Sequence, residues 1–201
     1  MSFTVLLTCV GDEFGPNIVN LLKNSKKHDI KVVGTDVDSN AQGRHFSDSF
    51  YVVPAGNEKN YPECIASIVA EQKVNLVLPK ADEEALSLSK NRHLFETNEC
   101  ILACSSYETI KTLSNKDLTY KKLNLNGIST PQWKIVNDIN QMENELDEFI
   151  TKFRSAVIKP IESRGGRGVF IIDSEFEEGK INKSGREYQL SLTEYKKNFI
   201  N

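Results

Sequence analysis

Along residues 1–104, short dense apolar blocks alternate with amphipathic stretches. "FTVLLTCV" (3–10) is a compact apolar run and predicts a buried strand. Gly11 and Gly15 mark a turn, and Pro16 opens "NIVNLLKN" as a helix, because proline suits the first helical turn. "IKVVGTD" predicts a second strand, and "FYVV" a short third one closed by Pro54. "YPECIASIVAEQK" reads as a helix with Ile65, Ile68 and Val69 on one face. "VNLVLP" is a buried strand. "ADEEALSLSKNRHLF" reads as one helix with Leu86 and Leu88 among its apolar positions, and "CILAC" as another strand. Strands alternating with helices predict a parallel sheet with helices on both faces. Right-handed crossovers put the loops after the strands on one edge, where such sheets bind ligands. Three of those loops are of interest: residues 11–15, 36–39 and 80–84.

From residue 105 the pattern changes. "SSYETIKTLSN" and "KDLTYKKLNLNG" predict two short helices, the second stopped at Asn126-Gly127. "STP" reads as a linker and "QWKIV" as a strand. "DINQMENELDEFITKF" is an amphipathic helix with Asp138 as its N-cap. "SAVIKP" and "GVFIID" read as strands. Residues 174–201 are polar and mixed in charge, with a weak structural signal.

Composition narrows the class. The 201 residues are 39% hydrophobic and suffice for one large domain or two small ones with a real core. The net charge of −3, without long runs of either sign, does not ask for nucleic acid or an anionic membrane. No segment approaches the roughly 20 apolar residues of a membrane span, and "MSFTVLLTCVG" reads as a first strand rather than a signal peptide. Without such a signal, Cys9, Cys64, Cys100 and Cys104 are expected to stay reduced and buried in a cytoplasmic protein. Four residues of strand hold Cys100 and Cys104 about 13 Å apart, too far to pair. His28, His45 and His93 have no ligand-like spacing, so no zinc site is expected.

The candidate chemistry lies in "AVIKPIESRGGRGVFIID" (156–173). A phosphate-cradling loop offers several backbone N–H groups to one anion, and glycines permit the positive φ that forms such a nest. "RGGRG" can do this, with Arg164 and Arg167 adding positive charge. It is not a Walker-type P-loop, because it joins two strands rather than capping a helix. Taken alone it also fits a plain hairpin tip with solvated arginines. Lys159, which ends the incoming apolar strand, favours the phosphate reading, since it places a cation where the anion would sit.

At this point the sequence resembles the ATP-grasp superfamily. "VIKPIESRGGRGVFII" is similar to its strand–Lys-Pro–glycine-loop–strand flap over the ATP phosphates. "SNKDLTYKKLNLNGISTP" resembles the segment in which a lysine, here Lys116, opens a helix followed by Gly-Ile and Pro. "GTDVDSNAQGRHFSDSFYVVP" and "VNLVLPKADEEALSLSKN" resemble the pre-ATP-grasp domain of the carbamoyl-phosphate-synthase-like branch. The likeness covers about residues 3–173 and implies an α/β fold. Residues 1–104 would form a Rossmann-like pre-ATP-grasp domain, and residues 105–201 a partial ATP-grasp subdomain. It also implies ATP-dependent ligation of a small carboxylate through an acyl phosphate that an amine or ammonia then attacks. Lys116, Lys159, Arg164, Gly165, Gly166, Arg167 and Gly168 would meet the ATP phosphates, with Mg2+ bridging the β- and γ-oxygens. Gly11, Asp36 and Glu84 would face the substrate.

The family closes ATP between two subdomains, and the second carries the Mg2+ ligands. Residues 174–201 are too few for it, and Glu175, Glu177 and Glu178 read as a solvated loop. The chain by itself is therefore expected to bind nucleotide weakly and not to catalyse. Its open half-clamp favours association with another copy or with the absent half. A non-catalytic nucleotide- or metabolite-binding module is the alternative. Asp36, 25 residues after Gly11, also suits dinucleotide binding, but "GDEFG" has the wrong glycine spacing for it. Asp82, Glu83 and Glu84 suit a helix N-terminus without any function, and Tyr120 and Trp133 read as packing residues.

Overall fold

The computed structural model describes residues 2–163 and 165–200. The chain divides into two compact units, Met1–Lys111 and Thr112–Asn201.

The first unit is a five-stranded parallel sheet in the order β3-β2-β1-β4-β5. Its strands are β1 (Ser2–Leu7), β2 (Asp29–Asp36), β3 (Ser49–Val52), β4 (Leu76–Leu78) and β5 (Ile101–Leu102). The helices are α1 (Gly15–Lys23), α2 (Tyr61–Gln72), α3 (Asp82–Lys90) and α4 (His93–Glu96), and α5 (Tyr107–Ser114) begins in this unit. Consecutive apolar residues in β1 serve two cores, one per face of the sheet. Leu6 packs with Val33, Ile65, Leu88 and Phe95, and Leu7 with Val10, Val19, Val32 and Ala41. That explains the unbroken apolar runs, since a central parallel strand is buried on both sides. Ile65, Ile68 and Val69 supply the inner face of α2. The stretch 81–95 forms two helices, not one, because the ladder stops at Asn91 and restarts at His93. Nearby, the Arg92 guanidinium donates to the carbonyls of Leu102, Cys104 and Ser105 and ties this turn to the end of β5.

The second unit holds α6 (Lys116–Leu125), α7 (Ile139–Phe153) and a mixed sheet ordered β6-β7-β9-β8. These strands are β6 (Ser155–Ile158), β7 (Val169–Asp173), β8 (Ile181–Ser184) and β9 (Glu187–Leu190), followed by α8 (Leu192–Tyr195), which runs on as a wide turn over Lys196–Ile200. Asp138 caps α7 by accepting from the Gln141 N–H at 2.8 Å. Met142, Leu146 and Ile150, one helical turn apart, pack with Ile172, Leu190 and Tyr195. Two expectations fail here. "QWKIV" forms no strand. Residues 181–200 form a hairpin and a helix whose alternation is too polar to be read locally, since β8 is exposed throughout. Among the described residues no helix is long and apolar enough to cross a membrane.

Candidate functional site

In the second unit, β6 and β7 run antiparallel, with Ile158 opposite Phe170, and the glycine loop joins them. Lys159 follows β6 directly. Gly165, Gly166 and Gly168 have φ of +58°, +72° and +70°, a conformation other residues adopt only at a cost. The Ser163 hydroxyl donates to the Arg167 carbonyl at 2.8 Å and closes the loop on itself. Arg164 lies outside the described residues.

Helix α6 is fastened to the base of this loop. Asn115 caps the helix through its side-chain oxygen, which accepts from the Leu118 N–H at 3.0 Å, while its amide donates to Glu162 at 2.9 Å. The Lys116 backbone N–H donates to the Ile161 carbonyl at 3.0 Å. Its ammonium reaches the carbonyls of Ile161 and Ser163, both at 3.4 Å. A lysine at the first position of a helix opposes the helix dipole, which favours anions there. Asp117 at the next position offsets this, and it is itself paired with Lys121 at 2.8 Å.

Lys116 and Lys159 line one cavity of about 580 Å3, together with Tyr120, Trp133, Ile158 and Ile161. The Lys159 ammonium donates to the Tyr120 hydroxyl at 2.8 Å and lies 5.3 Å from the centre of its ring. The Tyr120 and Trp133 rings are 5.6 Å apart. Two carboxylates also line the cavity, but each has a cation: Asp117 has Lys121, and Glu145 has Lys134 at 2.8 Å, which raises the pKa of Lys134. Lys116 and Lys159 have no carboxylate partner among the described residues. Both are held by neutral oxygens, so their charge stays available.

The first unit gathers the other candidates at the carboxyl edge of its sheet, beside the neighbours β1 and β4, where the strand order reverses and ligands of such sheets bind. Asp36, 7% exposed, accepts from the Gly11 N–H at 2.7 Å with one oxygen and from the Asp38 N–H at 3.0 Å with the other. A Cβ at position 11 would lie 2.8 Å from Asp36, so a glycine is needed for that approach. Glu84, 6% exposed, accepts from the Thr8 hydroxyl at 2.5 Å and the Ala81 N–H at 3.2 Å. Burial pushes its pKa up against these two hydrogen bonds. The wholly buried Tyr61 phenol lies beside Glu84 and Thr8 without completing a hydrogen bond of normal geometry, and burial and the Glu84 charge raise its pKa. Burial, then Glu84 and Asp36, push the Cys9 thiol up to about 11. Lys80 and Asp12 form an ion pair across the loops after β4 and β1.

Thus Gly11 and Asp36 meet directly, Glu84 joins the same edge through Thr8, and Lys116, Lys159 and the glycine loop assemble separately in the second unit. Sequence reading did not find the supports: Thr8, Tyr61 and Lys80 in one unit, Asn115 and the Tyr120 contact in the other. Of these, only Tyr120 had a local signal, because it sits four residues after Lys116 and so on the same helical face.

A family model described as sugar-transfer associated ATP-grasp matches residues 97–200, half of the chain, and one described as PylC-like, N-terminal domain matches residues 5–103. The chain belongs to the sugar-transfer associated ATP-grasp family; the sequence had suggested the ATP-grasp superfamily. Its fold is similar to that of N5-carboxyaminoimidazole synthetase from Staphylococcus aureus in complex with ADP, with a TM-score of 0.59 at 14% identity over 87% of this chain and 42% of that one. The Thermotoga maritima N5-carboxyaminoimidazole ribonucleotide synthetase gives a TM-score of 0.58 at 21% identity, with the same coverages. The biotin carboxylase domain of Hydrogenobacter thermophilus 2-oxoglutarate carboxylase, a dimer with MgADP, ADP and bicarbonate, gives 0.57 at 18% identity over 84% of this chain and 37% of that one. The chain therefore spans 37% to 42% of the length of these structures. An uncharacterized protein of Methanocaldococcus jannaschii is 34% identical over 74 residues, 37% of this chain and 18% of that protein.

Proposed function

We propose that the second unit binds the phosphates of ATP, with Lys116, Lys159 and the amides of Gly165, Gly166 and Gly168 as the contacts and Arg167 beside them. The observation that carries this reading is a pair of lysines from different elements in one cavity, both held only by neutral groups while the neighbouring carboxylates are matched. Two uncompensated cations beside positive-φ glycines suit a polyanion. The ADP in two of the similar structures makes a nucleotide the natural candidate.

The parent reaction we assign is that of an ATP-dependent ligase of the carbamoyl-phosphate-synthase-like branch. A carboxylate oxygen attacks the γ-phosphorus, the bond to the β-phosphate oxygen breaks, and ADP leaves with an acyl phosphate formed. An amine or ammonia then attacks the carbonyl carbon, and inorganic phosphate leaves. The lysines and loop amides stabilise charge on the phosphoryl oxygens, the main task of protein groups in such transfers. Among the described residues no group of three or more His, Cys, Asp or Glu side chains is placed to hold a metal ion.

In this reading the 201-residue chain binds nucleotide and does not turn it over. Calorimetric titration of MgATP into wild type and Lys159→Ala is the test. A loss of about tenfold or more in affinity is expected for one charge-assisted contact. Equal affinities would remove the nucleotide role. Steady Mg2+-dependent ATP hydrolysis by the purified chain would instead show that its own residues complete a catalytic site.

A further inference from the structure

We infer that Tyr120 is a positioning residue: it aims the Lys159 ammonium into the cavity, so that α6 controls both phosphate-facing lysines. This rests on the nucleotide reading of the same cavity. The chain of contacts is short. Tyr120 lies one turn beyond Lys116 on α6, and its hydroxyl oxygen accepts from the Lys159 Nζ at 2.8 Å. The Lys159 Nζ lies 5.3 Å from the ring centre, so it sits beyond the hydroxyl at the rim of the ring, and the hydrogen bond is the contact that holds it. Trp133 backs that ring at 5.6 Å.

The physical case turns on what kind of partner the lysine has. Lys159 stands on an exposed strand end, and a free lysine there would sample many rotamers at a cost paid on binding. A carboxylate partner would order it but neutralise it. A phenol hydroxyl orders it and leaves the full positive charge. Glu145 and Lys134, in the same cavity, are the contrasting arrangement, where the charge is matched. Because Asn115 and the Lys116 N–H bind the loop base, α6 holds the flap, Lys116 and the guide for Lys159 together.

A double-mutant cycle on MgADP affinity, measured by calorimetry with the whole chain, tests this. Tyr120→Phe keeps the ring and loses the hydroxyl, and is expected to weaken MgADP about three- to tenfold. In the Lys159→Ala background the same substitution is expected to change nothing, because its effect passes through the lysine. A residue acting only through packing would weaken binding equally in both backgrounds, and that result overturns the inference, as does an unchanged affinity in Tyr120→Phe alone. A second measurement does not need nucleotide. By NMR the Lys159 side-chain ammonium resonance should shift when Tyr120→Phe removes its acceptor. Identical Lys159 resonances in wild type and Tyr120→Phe would also overturn it. That resonance change, in a chain whose wild type binds no MgADP, would sink the nucleotide reading while upholding the placement of Lys159 by Tyr120.

Discussion

The two units handle charge in opposite ways. At the carboxyl edge of the parallel sheet, Asp36 and Glu84 are buried, and both oxygens of Asp36 and one of Glu84 accept from the chain's own donors. In the second unit, Lys116 and Lys159 have no counter-charge among the described residues and are held there by neutral oxygens. A buried carboxylate with its lone pairs filled holds loops in place. A cation held by neutral groups is prepared for an anion that the chain does not supply. A charged residue in a candidate site is therefore best judged by how its charge is already matched.

The largest effect expected concerns the cores beneath these sites. Leu6→Ala, at a wholly buried position on the central strand, should cost about 3–5 kcal/mol in chemical denaturation. Leu146→Ala, in the smaller core of the second unit, should cost about 2–3 kcal/mol, because fewer buried neighbours surround it. A reversed order would mean that the second unit is the more tightly packed.

Next comes the contrast in charge itself. Asp36→Asn should destabilise by about 2 kcal/mol, since the amide cannot accept through both of its terminal atoms and leaves one backbone N–H without a partner. Its MgATP affinity should be unchanged. Lys116→Ala should do the reverse, weakening MgATP about tenfold with a stability change within about 0.5 kcal/mol. Titration and denaturation of both variants check the pair, and a large loss of nucleotide affinity in Asp36→Asn would erase the distinction.

The smallest effect is a pH dependence at Glu84. Burial raises its folded-state pKa above that of the unfolded chain, so the native state holds the proton more tightly. Its favourable contribution is then fully present below the usual carboxylate range and declines as pH rises through the raised value. Denaturation midpoints of wild type and Glu84→Gln across mildly acidic to neutral pH should diverge, with wild type losing stability faster as pH rises. Parallel curves would show that the Thr8 and Ala81 hydrogen bonds hold the carboxylate ionised in the folded state.

How much was legible depended on how local each signal was. The strands of the first unit, the amphipathic face of α7 and the Asp138 cap repeat within a few residues, and periodicity found them. The single helix expected over 81–95 divides at Asn91, where competing backbone bonds set the break rather than apolar spacing. "QWKIV" has the composition of a strand but no partner with which to form a ladder, which no local pattern reports. The 181–190 hairpin was hidden for the opposite reason: β9 draws its order from parallel pairing with β7, so polar residues suffice.

By itself the sequence determined the alternation of strands and helices, the glycine loop between two strands, and the lysines at 116 and 159. Each of these is written in residue types at short, regular spacing. Only the tertiary structure decided how the charges are used. Asp36 and Glu84 are acidic in any reading, but their burial and their backbone donors turn them inward. Lys159 is 39 residues from Tyr120, and only folding makes that phenol its partner. Charge is a property of the residue, whereas compensation of charge depends on distance in space.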